Sequence, residues 1–440
     1  MPSAPSPLFV HGRMPHTERS KTMQMKATSD IAKFLEASPT AFQAEENIAK
    51  TLQEHGFTRL REQDEWRLKP GARCFVERNS TSLVAFALAE KTPLDSLAIA
   101  VCHTDSPALK LRLEDASQTE EGLLKIPVEV YGGATIPSWL DRPLKVAGRV
   151  AWNDNGAIRG LSVCTEESVA VIPNPPIHFA NLNDGFKYNA QTQLCALLPF
   201  KTREEFLASL VPDVAPKELH GDLYLADGMP PAIIGDMIQA PRLDNLASCH
   251  AILQALVDED AHSPRSFLAG FFDLEEVGLN YQSAGSNFLN SVVTRIPDAL
   301  GDGSPQTPHR MLAASHCLSL DAAHAFHPNF PELFDAPMSA RLGKGPALKF
   351  HANQSYSTTL AEAARVEAIA RGSDIPLQKF TPRSDSKCGS TIGRIVAAEL
   401  GVPAADAGIP IWAMHSIRET ASLQDCNSLT RLLKKWKSRE

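Results

Sequence analysis

The residues able to do chemistry in this chain stand at the ends of apolar runs. The first segment is Ala100-Val-Cys-His103-Thr-Asp105-Ser-Pro107, where an apolar run leads into a histidine and then an aspartate. A neutral imidazole at that point can bind a metal ion, and Asp105 can hold its tautomer from behind. A histidine at a strand end is also a common structural residue, so this segment alone decides little. The second is Phe271-Phe-Asp-Leu-Glu275-Glu276-Val-Gly278. Two adjacent carboxylates repel each other where water is scarce. A metal removes that conflict for one of them and leaves the other free to move a proton. A solvated acidic turn is the competing reading. The third, Pro241-Arg-Leu-Asp244-Asn-Leu-Ala-Ser248, sets Asp244 just ahead of a helix. It serves there either as an N-cap or as a carboxylate shared by two cations. The fourth, Ser319-Leu-Asp321-Ala-Ala-His324-Ala-Phe-His327-Pro328, offers Asp321 and two further histidines. The fifth, Trp412-Ala-Met-His415-Ser-Ile-Arg-Glu419, places His415 after the apolar stretch Ile409 to Met414.

Each segment alone has a structural explanation, but the set has a common one. Two cations sharing a carboxylate would use His103, Asp244 and Asp321 on one side and Asp244, Glu276 and His415 on the other. Imidazole and carboxylate ligands suit zinc, with cobalt or manganese as alternatives. Centres with two ions ~3.5–4 Å apart serve aminopeptidases, phosphatases and nucleases alike. Residue types and spacing therefore lead to a two-metal hydrolase and stop there.

The elements around these residues predict an α/β fold. Ser29-Asp30 can cap a helix over Ile31 to Leu35, and Ala41 to Glu54 reads as a longer amphipathic helix ending at Gly56. Cys74 to Glu77 and Ser82 to Leu88 read as strands, and Ser96 to Cys102 as a strand buried on both faces. From about Lys110 to Ala240 the pattern changes to β-branched runs separated by turn-formers: Lys125 to Tyr131, Leu144 to Ala151 and Val169 to Ile172. After Arg242 the α/β alternation resumes. Helices are expected at Leu246–Leu256, Tyr281–Val293, Thr358–Arg371, Thr391–Leu400 and Ser422–Lys437, and strands at Ser266–Phe272 and Cys317–Leu320. The expected organisation is a metal-binding domain over residues 29–110 and 241–440, with an inserted β-rich domain over residues 111–240.

Bulk properties narrow the function further. The 440 residues carry a formal net charge of −8, with 43% hydrophobic and 21% charged residues. A negative balance argues against nucleic acid as the main partner. No apolar run approaches the ~20 residues that a membrane span needs. The eight cysteines are scattered without a C-x-x-C pair, so neither a disulfide framework nor a thiolate zinc site is expected. Dispersed cysteines of this kind fit a reducing, cytoplasmic setting. Residues 1–28 differ from the rest. They are rich in Pro, Ser and Met, and their basic residues outnumber Glu18, their single acid. They read as a disordered extension or an early start; a targeting peptide is the alternative, which their proline content disfavours.

With those residues in view, the chain resembles the M18 aspartyl aminopeptidases from about Ile31 to Arg431. The resemblance is carried by Phe34-Leu-Glu-Ala-Ser-Pro, His103-Thr-Asp-Ser-Pro, Val130-Tyr-Gly-Gly, Trp139-Leu-Asp-Arg and Pro173-Asn-Pro-Pro-Ile-His178. It continues through Arg242-Leu-Asp-Asn-Leu, Glu275-Glu-Val-Gly, Asp321-Ala-Ala-His-Ala-Phe-His-Pro-Asn, Gly345-Pro-Ala-Leu-Lys349, Lys387-Cys-Gly-Ser-Thr-Ile-Gly393 and Met414-His-Ser-Ile-Arg-Glu. It implies a catalytic domain with a central mixed sheet flanked by helices, interrupted by a β-rich dimerisation domain. It also implies two divalent ions per subunit, held by His103, Asp244, Glu276, Asp321 and His415. Glu275 would be the general base and Asp105 would orient His103. His178 would reach the active site of a neighbouring subunit in a homododecamer built from dimers. Lys349 would face the acidic side chain of a peptide beginning with Asp or Glu, with Tyr356 and Gly389 lining that pocket. Two departures stand out: Leu274 replaces an Asn usual before the paired glutamates, and Cys102 replaces a small residue before His103. Neither removes a ligand. Other outcomes on the same scaffold are a preference for neutral residues or a non-catalytic role as assembled cargo, with a phosphoesterase further off.

Overall fold

The structure, a computed structural model, describes residues 30–90, 94–180, 185, 187–258 and 265–438. The predicted tail, residues 1–28, and Ser29 lie outside the described residues.

Two apolar runs build the centre of the fold. The strands Leu97–His103 and Ser266–Phe272 are buried at every position. That pattern belongs to parallel strands covered on both faces. They pair in parallel, and His316–Leu320 and Ala404–Gly408 extend the parallel block on the far side of Leu97–His103. Ser82–Ala87 joins antiparallel on one flank and Ala347–Lys349 on the other. Thr58–Leu60, Arg73–Arg78 and Gln378–Phe380 complete a mixed sheet of nine strands.

Side chains of the central strand alternate between two cores, as a period of two requires. Ala98, Ala100 and Cys102 join the core beneath the helices Ala41–Glu54, Leu243–Leu256, Leu360–Gly372 and Leu423–Ser438. Leu97, Ile99 and Val101 face Phe288–Ala299, Thr307–Ala313 and Gly393–Leu400. Helices thus cover both faces, and the fold is α/β with a central mixed sheet.

The β-rich stretch forms a second, antiparallel sheet. Its main path runs Cys195–Leu198, Leu124–Tyr131, Ala108–Leu111, His220–Asp227, Leu144–Asp154 and Ala157–Cys164. It has its own apolar core around Leu109, Ile126, Val146 and Leu223. A third sheet has five strands, in the order Ala232–Ile234, Met237–Ala240, Glu419–Ser422, Pro410–Trp412 and Ala323–His324. Met237–Ala240 therefore pairs with a strand nearly at the carboxyl end of the chain.

Several local expectations shift. The helix expected over Tyr281–Val293 runs over Phe288–Ala299 instead. Residues 280–286 are held by local turns, with the Ser283 and Ser286 hydroxyls bonding to nearby backbone. Such side chains compete with helical hydrogen bonds. Val169 to Ile172 makes isolated bridges, Ala170 to Leu144 and Val171 to Leu197. The short helix Arg203–Leu210, capped by the Thr202 hydroxyl, escaped the sequence reading because its apolar stripe is weak.

Gly408, at the end of a parallel strand, shows how closely the frame approaches the site. A Cβ there would lie 1.8 Å from the Asp321 carbonyl oxygen. Backbone cannot yield as a flexible side chain can. Gly408→Ala is expected to cost at least the ~1–3 kcal/mol typical of overpacking. Its thermal unfolding midpoint, compared with that of the unaltered chain, checks this; an unchanged midpoint would contradict the close approach.

Candidate metal centre

Three of the five chemical segments meet because their strands are neighbours in the parallel block. His103 ends Leu97–His103, Glu275 and Glu276 follow Ser266–Phe272, and Asp321 follows His316–Leu320. The carboxyl ends of parallel strands share one edge, where α/β sheets bind ligands. Asp244 arrives from the start of the helix Leu243–Leu256. Arg242 has a left-handed backbone there, and Asp244 and Asn245 are non-helical, so the chain turns sharply before the helix proceeds. Asp244 does not act as the N-cap, which falls at Arg242. His415 (φ 67°) arrives from the turn after Pro410–Trp412.

The side chains converge. His103 Nε2 lies 3.5 Å from Asp244 Oδ1 and 3.5 Å from Asp321 Oδ1. His415 Nε2 lies 3.7 Å from Asp244 Oδ2 and 3.4 Å from Glu276 Oε1. Asp244 thus faces one imidazole with each oxygen. Among the described residues, three sets place their ligand atoms within 4.8 Å of one another: His103, Asp244 and Asp321; His103, Glu275 and Glu276; Asp244, Glu276 and His415. Among the described residues Asp244 Oδ1 has no hydrogen-bond partner, although its residue is buried. A buried carboxylate oxygen facing only imidazoles and other carboxylates is costly unless a cation takes it. The donor set therefore fits divalent metal ions.

Electrostatics give the same picture. Burial would lower the pKa of His103, but the carboxylates of Asp105, Asp244 and Asp321 beside it hold it well above the usual imidazole value. Burial also opposes protonation of His415, yet Glu276 and Asp244 lift it to about 9. Glu275 is pushed up to about 8, chiefly by burial, with His103 opposing and Asp321, Glu276 and Asp105 adding to the rise. Asp321, despite burial, is held well below the carboxylate range by Lys349 and His103.

Asp105 holds the frame behind His103. His103 Nδ1 sits 3.4 Å from Asp105 Oδ1 and 3.1 Å from its carbonyl oxygen. The same carboxylate accepts from the Tyr131 hydroxyl at 2.8 Å and from the Glu275 and Glu276 amides at 3.2 and 3.1 Å. Gly132 and Gly133 then pass close to the cluster. A Cβ would lie 3.1 Å from the Glu276 Cβ at Gly132 and 3.1 Å from His415 Nδ1 at Gly133.

The cluster opens into a cavity of about 410 Å³. Lys349, Tyr356 and Gly389 line it, as do His324 and Met414. Lys349 is only 2% exposed and donates to Asp321 Oδ2 at 3.2 Å and to the Ala322 carbonyl at 2.7 Å. His178 is the residue expected in the site of a neighbouring subunit. It lies in an exposed turn of the β-rich part and is not brought to the cluster of its own chain. Sequence reasoning missed Glu419, which accepts from the Asp244 and His415 amides at 2.9 and 2.8 Å. Its one signal was its place four residues after His415. The role of Tyr131 was missed as well, though it stands in the Val130-Tyr-Gly-Gly segment.

The chain as a whole is similar to known proteins. A family model described as aminopeptidase I zinc metalloprotease (M18) matches residues 34–436. A probable M18 family aminopeptidase 2 of Pseudomonas paraeruginosa is 36% identical over 427 residues, covering 93% of this chain and 98% of that protein. The matched chain in the cryo-EM structure of the Ape4 and Nbr1 complex superposes with a TM-score of 0.90 at 30% identity, covering 94% of this chain and 86% of its own. The S. cerevisiae mApe1 dodecamer chain gives a TM-score of 0.81 at 26% identity, covering 95% of this chain and 98% of its own.

Proposed function

This chain belongs to the M18 family of zinc metalloproteases and is a metallo-aminopeptidase, and on that premise we propose that it removes an N-terminal aspartate or glutamate from peptides. The observation carrying the acidic preference is Lys349. A lysine ammonium has three protons to donate. Two are engaged by Asp321 and Ala322, which leaves one for a substrate carboxylate in the cavity beside the cluster. A buried cation pairs well with such a carboxylate where solvent is excluded. Tyr356, whose ring centre lies 5.0 Å from the Lys349 nitrogen, and Gly389 would line the same pocket.

His103, Asp244 and Asp321 would hold one divalent ion, and Asp244, Glu276 and His415 the other, with zinc favoured over cobalt or manganese. When bound, such ions polarise a carbonyl and make water a stronger acid. Glu275 belongs to neither ligand set and stands beside both. It takes a proton from the attacking water and returns it to the leaving amine. Asp105 would keep His103 in register by accepting a hydrogen bond from Nδ1–H at its carbonyl oxygen, 3.1 Å away, with its carboxylate 3.4 Å away. His178 would act in a neighbouring subunit. Its turn exposes Ile177 by 55% and Phe179 by 87%, and apolar surface of that kind suits burial against a second copy. The assembly would be a homo-oligomer built from dimers through the β-rich part, and a dodecamer is the state of the matched mApe1. The eight cysteines are all free, which fits a cytoplasmic setting.

The test is the rate of chromophore release from N-terminal Asp, Glu, Ala and Leu substrates by the unaltered chain and by Lys349→Met. A charged hydrogen bond of ~1.5–3 kcal/mol predicts that the Asp-to-Ala ratio of kcat/KM falls about ten- to a hundredfold in the variant. Taking the ratio cancels any loss from the Lys349–Asp321 contact. Preference of the unaltered chain for Ala or Leu would remove the acidic specificity and leave the aminopeptidase.

A further inference from the structure

We propose that Glu419 is a positioning residue that sets the separation of Asp244 and His415 before any metal binds. The inference rests on reading the cluster as a two-metal centre, but not on which peptide is cut. Glu419 is 2% exposed. Its Oε2 accepts from the Asp244 amide at 2.9 Å and its Oε1 from the His415 amide at 2.8 Å. Both oxygens are thus occupied by backbone donors, and Glu419 acts behind the ligands instead of among them.

The topology explains why one residue can reach both. Glu419 begins the strand Glu419–Ser422, which lies between Met237–Ala240 and Pro410–Trp412 in the third sheet. The chain leaving Met237–Ala240 leads to Asp244, and the chain leaving Pro410–Trp412 leads to His415. Ala240 is paired directly with Glu419, and Trp412 with Thr420. The preceding residue fixes this strand. Arg418 donates to Asp227 Oδ2 at 2.7 Å and to the carbonyls of Pro230 and Gln239 at 2.9 Å each. The shared ligand and the second imidazole are therefore tied to a common point, itself anchored to the β-rich part. Pre-setting ligands in this way raises affinity by removing the cost of ordering them.

The chemistry of the two oxygens supplies a discriminating test. Glutamine has nearly the same volume, so a packing role is rescued by Glu419→Gln. It replaces one acceptor with an NH2 donor facing a backbone N–H, so the positioning role is not rescued. Zinc binding by the full chain, titrated against a chromogenic chelator, is the readout. The unaltered chain is expected to hold two zinc equivalents. In Glu419→Gln and Glu419→Ala at least one equivalent should weaken ten- to a hundredfold, the range seen when partners behind metal ligands are lost, and kcat should fall more than KM rises. Fewer than two equivalents in the unaltered chain would refute the two-metal reading itself. Two equivalents with unchanged affinity in Glu419→Gln would overturn the role of Glu419. A measurement on the unaltered chain stands independently of whether the variants fold. Stripped of metal, it should protect the Asp244 and His415 amides from hydrogen–deuterium exchange as well as the central strand Leu97–His103. Rapid exchange at either amide would also overturn the proposal.

Discussion

Glu275→Gln is expected to keep its full zinc content and to lose about 10²–10⁴-fold in kcat, the usual contribution of a positioned general base. The residue lies within 4.8 Å of His103 and Glu276, yet neither three-ligand set around Asp244 needs it. Its backbone is fixed by the bond from its amide to Asp105 Oδ1. Without divalent ions its carboxyl is pushed up to about 8 by burial and by Asp321, Glu276 and Asp105, with His103 opposing. Divalent charge nearby would draw that value down, toward a group that can accept a proton from water near neutral pH and give it back. The amide of glutamine preserves shape and cannot take the proton. Because that carboxyl is already largely protonated near neutral pH in the metal-free chain, the metal-free unfolding midpoint should change little. Metal analysis, kcat and thermal unfolding on one preparation separate the possibilities. A variant with normal turnover would show that another group moves the proton.

Removal of metal is expected to abolish activity and to lower stability at the same time. Among the described residues, the carboxylates of Asp244, Glu276 and Asp321 are paired with His103, His415 and Lys349. A ligand present at a thousandfold its Kd stabilises the folded state by about 4 kcal/mol, so chelation should lower the unfolding midpoint by several degrees. Zinc or cobalt should restore both properties. The pH dependence has a definite sign. In the metal-free chain, burial lowers the pKa of His415, but Glu276 and Asp244 raise it to about 9, above its value in the unfolded chain. Its contribution to metal-free stability is therefore fully present below about pH 6.5 and is lost as pH rises through 9. Zinc must displace that proton, so apparent affinity should rise over the same interval. Chelation that left turnover intact would rule out a metal-dependent reaction.

Residue types and apolar runs are enough to mark which segments carry chemistry and what element each one follows. Ser266–Phe272 was read with its observed bounds, because an unbroken apolar run of that length has few other solutions. His103, Glu276, Asp321, Asp244 and His415 could be singled out because each ends such a run or opens a helix. Local periodicity cannot say which strand ends lie side by side. Only the order of the parallel block decided that His103 faces Asp321, and only the turn at the start of the helix Leu243–Leu256 that it faces Asp244. Lys349 shows the same limit. Its resemblance marked a substrate-facing lysine, while the fold also pairs it with Asp321, 28 residues away in the chain. The resemblance assigned His178 to the site of a neighbouring subunit, and in its own chain it lies in an exposed turn, so a single chain does not decide its role. Glu419 marks the boundary most clearly. Its carboxylate meets the Asp244 amide across 175 residues of sequence and the His415 amide across four. A hydrogen bond between segments so distant leaves no periodic trace in either, and only the closing of the third sheet brings them together.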